Sequence, residues 1–220
     1  MQSSNSQGQT LEALLKRAAG LAGRTLGEIS LQLGSPLPAA PAKGHVGRLI
    51  ERALGACGAG VTDFPECELK TLPVDVFGRP KESTFVCHVQ LTALAETSWE
   101  VSRVRAKLAR VLFMPIECGE RLAQAQRRVG QAFLWEMGGA QEALLRDDYL
   151  TLADRVAQGE VEHIDARWGR VLQLRPKAAH SGVRVRTFGL DGSPQAVLPR
   201  AFYLRTTFTH ALLRGAGLAR

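Results

Sequence analysis

Apolar positions along the chain switch period several times, and each switch predicts an element. Thr10 can cap a helix whose apolar face is Leu11, Leu14, Leu15, Ala18 and Leu21, with Gly20 and Gly23 at its end. A second short helix follows Thr25 through Leu26, Ile29, Leu31 and Leu33. Gly34 to Ala42, G-S-P-L-P-A-A-P-A, predicts a loop. Helical spacing returns from His45 to Ala56, with Val46, Leu49, Ile50, Ala53 and Leu54 on one side. Glu51 lies on another stripe of that helix, between Gly47 and Gly55, a pattern that suggests close approach there by a ligand backbone or by the Asp63–Lys70 strand, or else a poor helix with a solvated glutamate.

The pattern then turns to strands. Glu66 to Leu72 and Thr84 to Leu91 predict two strands of one small mixed or antiparallel sheet, separated by turn-like Pro73 to Pro80. Trp99 to Arg110 predicts a short helix with Val104 and Leu108 inward and Arg103, Arg105, Lys107 and Arg110 as a basic surface. Val111 to Ile116 predicts a buried strand. Glu142 to Val156 predicts an acidic helix with Leu144, Leu145, Leu150, Leu152 and Val156 toward the core. Gly159 to Leu174 predicts a hairpin turning near Arg167 to Gly169. Residues 183–199 predict another, with the turn signal Asp191-Gly192. A last helix runs from Thr206 to Leu213.

Composition narrows the class. The chain of 220 residues is 45 % hydrophobic, enough for a sizeable core. No window suits a membrane span, and the polar stretch 1–9 reads as a disordered tail without a signal core, so a cytoplasmic protein is expected. Cys57, Cys67, Cys87 and Cys118 make no C-x-x-C pair, which argues against a zinc site or a disulfide framework. The net charge of +7 is unevenly spread. Residues 99–130 carry seven basic and three acidic side chains, 131–162 two and seven, and 163–220 ten and two. Two basic blocks flanking an acidic one suit a polyanion such as DNA, with the acidic block turned away or facing another protein.

The candidate chemistry lies between Glu51 and Lys70. In an extended strand Glu68 and Lys70 point to one face. Asp63 is near enough in sequence to join them. Two carboxylates and a lysine can hold a divalent cation and a water for attack on phosphorus. The same residues can equally be surface charges on a strand edge, because D-x(4)-E-x-K alone is a weak pattern.

Several colinear segments carry a more specific signal: T-L-G-E-I at 25–29, E-L-K-T-L-P-V-D at 68–75, G-R-P at 78–80, T-F-V-C at 84–87, V-R-A-K-L-A-R-V-L at 104–112, L-R-P-K-A-A at 174–179 and L-P-R-A-F-Y-L at 198–204. Through them the chain resembles the MutH family of mismatch-repair endonucleases, within the PD-(D/E)xK nuclease group. The resemblance implies a mixed α/β, restriction-endonuclease-like fold over residues 10–220, with two lobes forming a DNA cleft. It implies that Asp63 and Glu68 bind Mg²⁺ or Mn²⁺, that Lys70 is catalytic, that Glu51 completes the acidic site and that Lys107 is required for cleavage. Lys43, Gly44, Phe85, Arg175 and Pro176 match DNA-contacting positions, and Tyr203 the position that senses adenine methylation; Arg79 and Lys177 are further candidate DNA contacts, Lys177 to a base edge or a phosphate. Read from the residues alone, Phe85 is either a wedge or a core side chain, and Tyr203 either a reader or structural. Hemimethylated GATC as substrate, MutL as activator and a monomeric state are further implications. The Asp63–Glu68 loop, D-F-P-E-C-E, is shorter than the family pattern. A type II restriction endonuclease of the same group and a non-catalytic DNA-binding module are the alternatives.

Overall fold

The structure is a computed structural model and describes residues 10–38, 44–56, 62–119 and 121–219. The expected tail at 1–9, Lys43 and the glycine turn at Gly58 and Gly60 lie outside the described residues.

Three helices open the fold. Thr10 Oγ1 accepts from the Ala13 N–H at 3.3 Å and starts α1, Leu11–Leu21. Thr25 and Glu28 form a reciprocal capping box (3.2 and 2.7 Å) at the start of α2, Leu26–Gln32. Helix α3, His45–Leu54, ends at Gly55, whose φ of 76° is the left-handed cap conformation. Gly55 is therefore explained by helix termination. A Cβ on Gly47 would meet only Glu51 itself, at an ordinary 3.8 Å. At Gly47 the described residues show no close approach by another backbone.

The strands and remaining helices are β1, Glu68–Val74; β2, Thr84–His88; α4, Leu91–Leu94; α5, Arg103–Leu108; β3, Arg110–Glu117; β4, Phe133–Glu136; α6, Gly139–Ala157; β5, Leu172–Pro176; β6, Val185–Phe188; β7, Pro194–Val197; β8, Arg200–Leu204; and α7, Thr206–Gly215. They form a mixed α/β architecture. Strands order as β1-β3-β4, β2-β8-β5 and β6-β7. Pair β1/β3 is parallel; the other pairs are antiparallel.

The first sheet lies between two hydrophobic clusters. Leu69 of β1 and Leu112, Met114 and Ile116 of β3 pack with α1, α2 and α3. Leu72, Val74, Val111 and Phe113 face the larger cluster, with α4, α5, α6 and the second sheet. Burial on both faces explains the unbroken apolar run of β3, because neither face needs polar residues. Among the described residues, no helix is long and apolar enough to cross a membrane.

Five expectations need correction. Strands β1 and β2 belong to different sheets, because β2 pairs with β8 from the far end of the chain. The Trp99–Arg110 helix is broken: Trp99–Val101 is a 3₁₀ turn, and Ser102 Oγ caps α5 by accepting from the Arg105 N–H at 3.1 Å. Val161–His163 is also 3₁₀, so no 159–174 hairpin forms, and β5 pairs with β8 instead. Pro73 lies inside β1 rather than in a turn. On α6, Leu150 is 47 % exposed while Tyr149 and Asp148 are buried.

Asp148 is buried for a reason. Its carboxylate accepts from the N–H groups of Arg170 (2.9 Å), Val171 (2.6 Å) and Leu172 (2.8 Å), tying α6 to the start of β5. Gly169, at φ 84°, makes the approach; a Cβ there would lie 1.8 Å from the Leu172 carbonyl oxygen.

Candidate active site

Strand parity builds the site. Glu68 and Lys70 share the β1 face of Leu72 and Val74, and their register partners on β3 are Val111 and Phe113. Glu68 is 1 % exposed. A buried carboxylate needs compensation, and three donors supply it. The Lys70 and Lys107 ammoniums both donate to Oε1, Lys107 at 2.7 Å. The Asp63 N–H donates to Oε2 at 3.2 Å.

Asp63 is fixed in turn. Its Oδ2 accepts from the Leu69 N–H at 3.0 Å. The short loop thus holds Asp63 against β1 by two hydrogen bonds, one in each direction. Burial, and then the Glu68 charge, push the Asp63 carboxyl above its ordinary pKa. Glu51, half-buried on α3, is raised by burial first and the Asp63 charge second, while Lys70 acts in the opposite sense. Three carboxylates and two ammoniums therefore share one electrostatic neighbourhood.

Lys107 is where the surface expectation fails. It is only 9 % exposed and points inward to Glu68. Its spacing carried the signal: Lys107 is three residues after Val104, on the same helix face. Two other cations of that stretch have separate partners. Arg105 donates to Glu142 at 2.8 Å and Arg110 to Glu136 at 2.6 Å.

A second cluster forms on the sheet β2-β8-β5. Phe85 and Tyr203 are register partners with rings 5.7 Å apart at 72°. Lys177 Nζ sits 4.7 Å from the Phe85 ring centroid and 6.0 Å from that of Tyr203. The Arg175 guanidinium is 5.5 Å from the Tyr203 ring and donates to Ser83 Oγ at 3.3 Å. Pro176 ends β5, and the Lys177 N–H bonds to the Pro199 carbonyl at 2.7 Å. Phe85 and Tyr203 are half-buried rather than core residues. Among the expected DNA contacts, Phe85, Arg175, Lys177 and Tyr203 are thus brought together.

Lys43 lies outside the described residues, and Gly44 and Arg79 sit on other elements. Gly44 is the left-handed N-cap of α3 (φ 74°). Arg79 ends the turn after β1; its N–H bonds to Asp75 Oδ1 at 2.9 Å and its guanidinium lies 5.5 Å from the exposed Phe77 ring. His88, which sequence reasoning passed over, stands edge-on to Phe85 at 5.3 Å.

Among the described residues, no group of three or more His, Cys, Asp or Glu side chains is placed to cage a metal. A magnesium-like ion keeps several waters and takes one or two carboxylates plus substrate phosphate. Asp63 and Glu68 would be the pair to hold such an ion, and burial first, then neighbouring carboxylates, raise the Asp63 and Glu51 carboxyls.

Comparison with known proteins places these residues in context. Residues 60–148 match the family model described as DNA mismatch repair enzyme MutH. The chain is 46 % identical to the DNA mismatch repair protein MutH of Serratia proteamaculans (strain 568), over 92 % of this chain and 91 % of that protein. It is 46 % identical to the protein of the same name from Pectobacterium atrosepticum (93 % and 91 %) and to that from Yersinia enterocolitica (91 % and 90 %).

Proposed function

The chain belongs to the MutH family, and from that premise we propose that it is a DNA mismatch repair endonuclease that nicks one strand of duplex DNA with a divalent cation. The observation that carries the reading is the buried Glu68 carboxylate, with Lys70 and Lys107 on one oxygen and the Asp63 backbone on the other.

Hydrolysis adds a water oxygen to phosphorus, breaks the bond to the 3′ oxygen and leaves a proton on that oxygen. Asp63 and Glu68 would hold Mg²⁺ or Mn²⁺, with Glu51 in electrostatic support. When bound, the cation supplies charge neutralisation at the scissile phosphate and lowers the pKa of a coordinated water. Lys70, fixed by Glu68, orients the attacking water. Lys107, held in the same dry pocket, stabilises the charge gathering on the non-bridging oxygens. Such preorganised donors act strongly because water is excluded around them.

Reading belongs to the second cluster. Arg175 can fit guanine O6 and N7 in the major groove, and Lys177 a base edge or phosphate. Phe85 can wedge against a base step. Tyr203 is the candidate to sense a methyl group on adenine. Hemimethylated GATC as the substrate, activation by MutL, a two-lobed cleft and a monomeric enzyme complete the proposal; the family resemblance supports them.

The test is a nicking assay on unmethylated, hemimethylated and fully methylated GATC duplexes, with Mg²⁺ or EDTA and with or without MutL. We expect nicking of the unmethylated strand only, stimulated by MutL and abolished by EDTA. Double-strand cutting indifferent to methylation and MutL would favour a restriction enzyme. Tight binding without any nicking would favour a DNA-binding module.

A further inference from the structure

His88 does not belong beside Phe85 by simple alternation. Residues three apart in a regular strand face opposite sides of the sheet. The register explains how they meet. Phe85 pairs with Tyr203, Cys87 with Phe202 and His88 with Ala201. One residue, Val86, is extra on β2, and the pairing shifts there. Tyr203 and Ala201 are two apart on β8 and share a face, so the bulge puts Phe85 and His88 on that face together. Bulges are built features that re-aim side chains beside functional sites.

The result is a row of rings. His88 meets Phe85 edge-on at 5.3 Å and 64°, and Phe85 meets Tyr203 edge-on at 5.7 Å and 72°. Lys177 stands over the Phe85 ring. Phe85 is therefore held by a ring on each side and a cation on its face. Partial burial, then the charges of Lys177 and Arg103, hold the His88 imidazole below its ordinary pKa.

We propose that His88, delivered to this face by the bulge at Val86, is a positioning residue that sets the angle at which Phe85 meets duplex DNA. This deepens the reading above and rests on Phe85 touching DNA. His88 acts on substrate binding and not on the hydrolytic step, because the residues grouped around Glu68 are Asp63, Lys70 and Lys107.

The test is a double-mutant cycle read as Kd for a short GATC duplex at fixed salt, with steady-state nicking alongside. His88→Ala should weaken binding about fivefold, the scale of one lost ring pair, raising KM while kcat holds. His88→Phe keeps a ring edge and should restore Kd to within about twofold. In a Phe85→Leu background, His88→Ala should cost nothing more, within about twofold. Three results would each overturn the proposal: His88→Ala binding normally while Phe85→Leu binds poorly; losses that simply multiply in the double variant; or failure of His88→Phe to rescue. If Phe85→Leu itself binds normally, the DNA contact assigned to Phe85 fails, and the proposal with it.

Discussion

The two clusters solve opposite problems. Around Glu68 the charges are buried and paired with one another. Around Phe85 the rings are half-exposed, and the cations of Arg175 and Lys177 lean on aromatic faces rather than on carboxylates. The first arrangement presets groups whose positions must not change during a reaction. The second leaves cationic donors available to a partner. A buried pair that loses one member leaves an uncompensated charge, whereas a cation on an exposed ring gives up little when it moves to a phosphate or a base. Loss of a residue should therefore damage the first cluster through stability and rate together, and the second through affinity alone.

The largest effect should come from Glu68→Ala. It strands Lys70 and Lys107 in a dry pocket, so unfolding free energy should fall by about 3–5 kcal/mol and nicking by about 10³-fold or more; a urea melt and a plasmid-nicking rate check both. A variant that nicks poorly but melts normally would break the comparison. Lys70→Ala comes next, with nicking down about 10²- to 10³-fold and duplex affinity retained in a gel-shift titration. Normal nicking would remove Lys70 from the mechanism. Asp148→Ala lies outside both clusters but frees three backbone N–H groups where β5 begins. It should cost about 1–3 kcal/mol, and its loss of duplex affinity should exceed its loss of kcat, because β5 carries Arg175.

The smallest effect should come from Glu51→Gln, and its sign is informative. Burial raises the Glu51 carboxyl, so the folded state prefers it neutral. Its contribution to stability is full below the ordinary carboxylate pKa and is lost as pH rises through the raised value. The neutral variant should thus melt slightly higher than the parent at pH 7 in EDTA, and the difference should vanish on acidification. A lower melting temperature at pH 7 would show that Glu51 is paired rather than crowded.

Local pattern made much of this legible. Thr10 and Thr25 announced their helices, and Asp191-Gly192 marked the β6–β7 turn, because caps and turns are chemistry of near neighbours. Glu68 and Lys70 shared a face by strand parity. What stayed hidden depended on distant partners. The union of β2 with β8 joins residues more than a hundred positions apart. The inward turn of Lys107 needs Glu68 to receive it. Short β4 lacked the length to stand out, and Val161–His163 looked like a strand only because its alternation matched one by chance. His88 was invisible for a different reason: the bulge reverses the parity on which such readings rest.

Strand β1 has a further consequence for heritable variation. Leu69 is sealed into one core while Leu72 and Val74 are sealed into the other. Substitutions along it change one side chain at a time. Loss of a single codon between Lys70 and Val74 instead carries every later residue to the opposite wall, presenting apolar side chains where polar ones stood and the reverse. In the preceding loop Phe64 and Cys67 are buried in the first core, but Pro65 and Glu66 between them are exposed and keep no such frame, provided Asp63 still reaches Leu69. Length variation in this lineage should therefore collect between Asp63 and Glu68 and stop sharply at the strand.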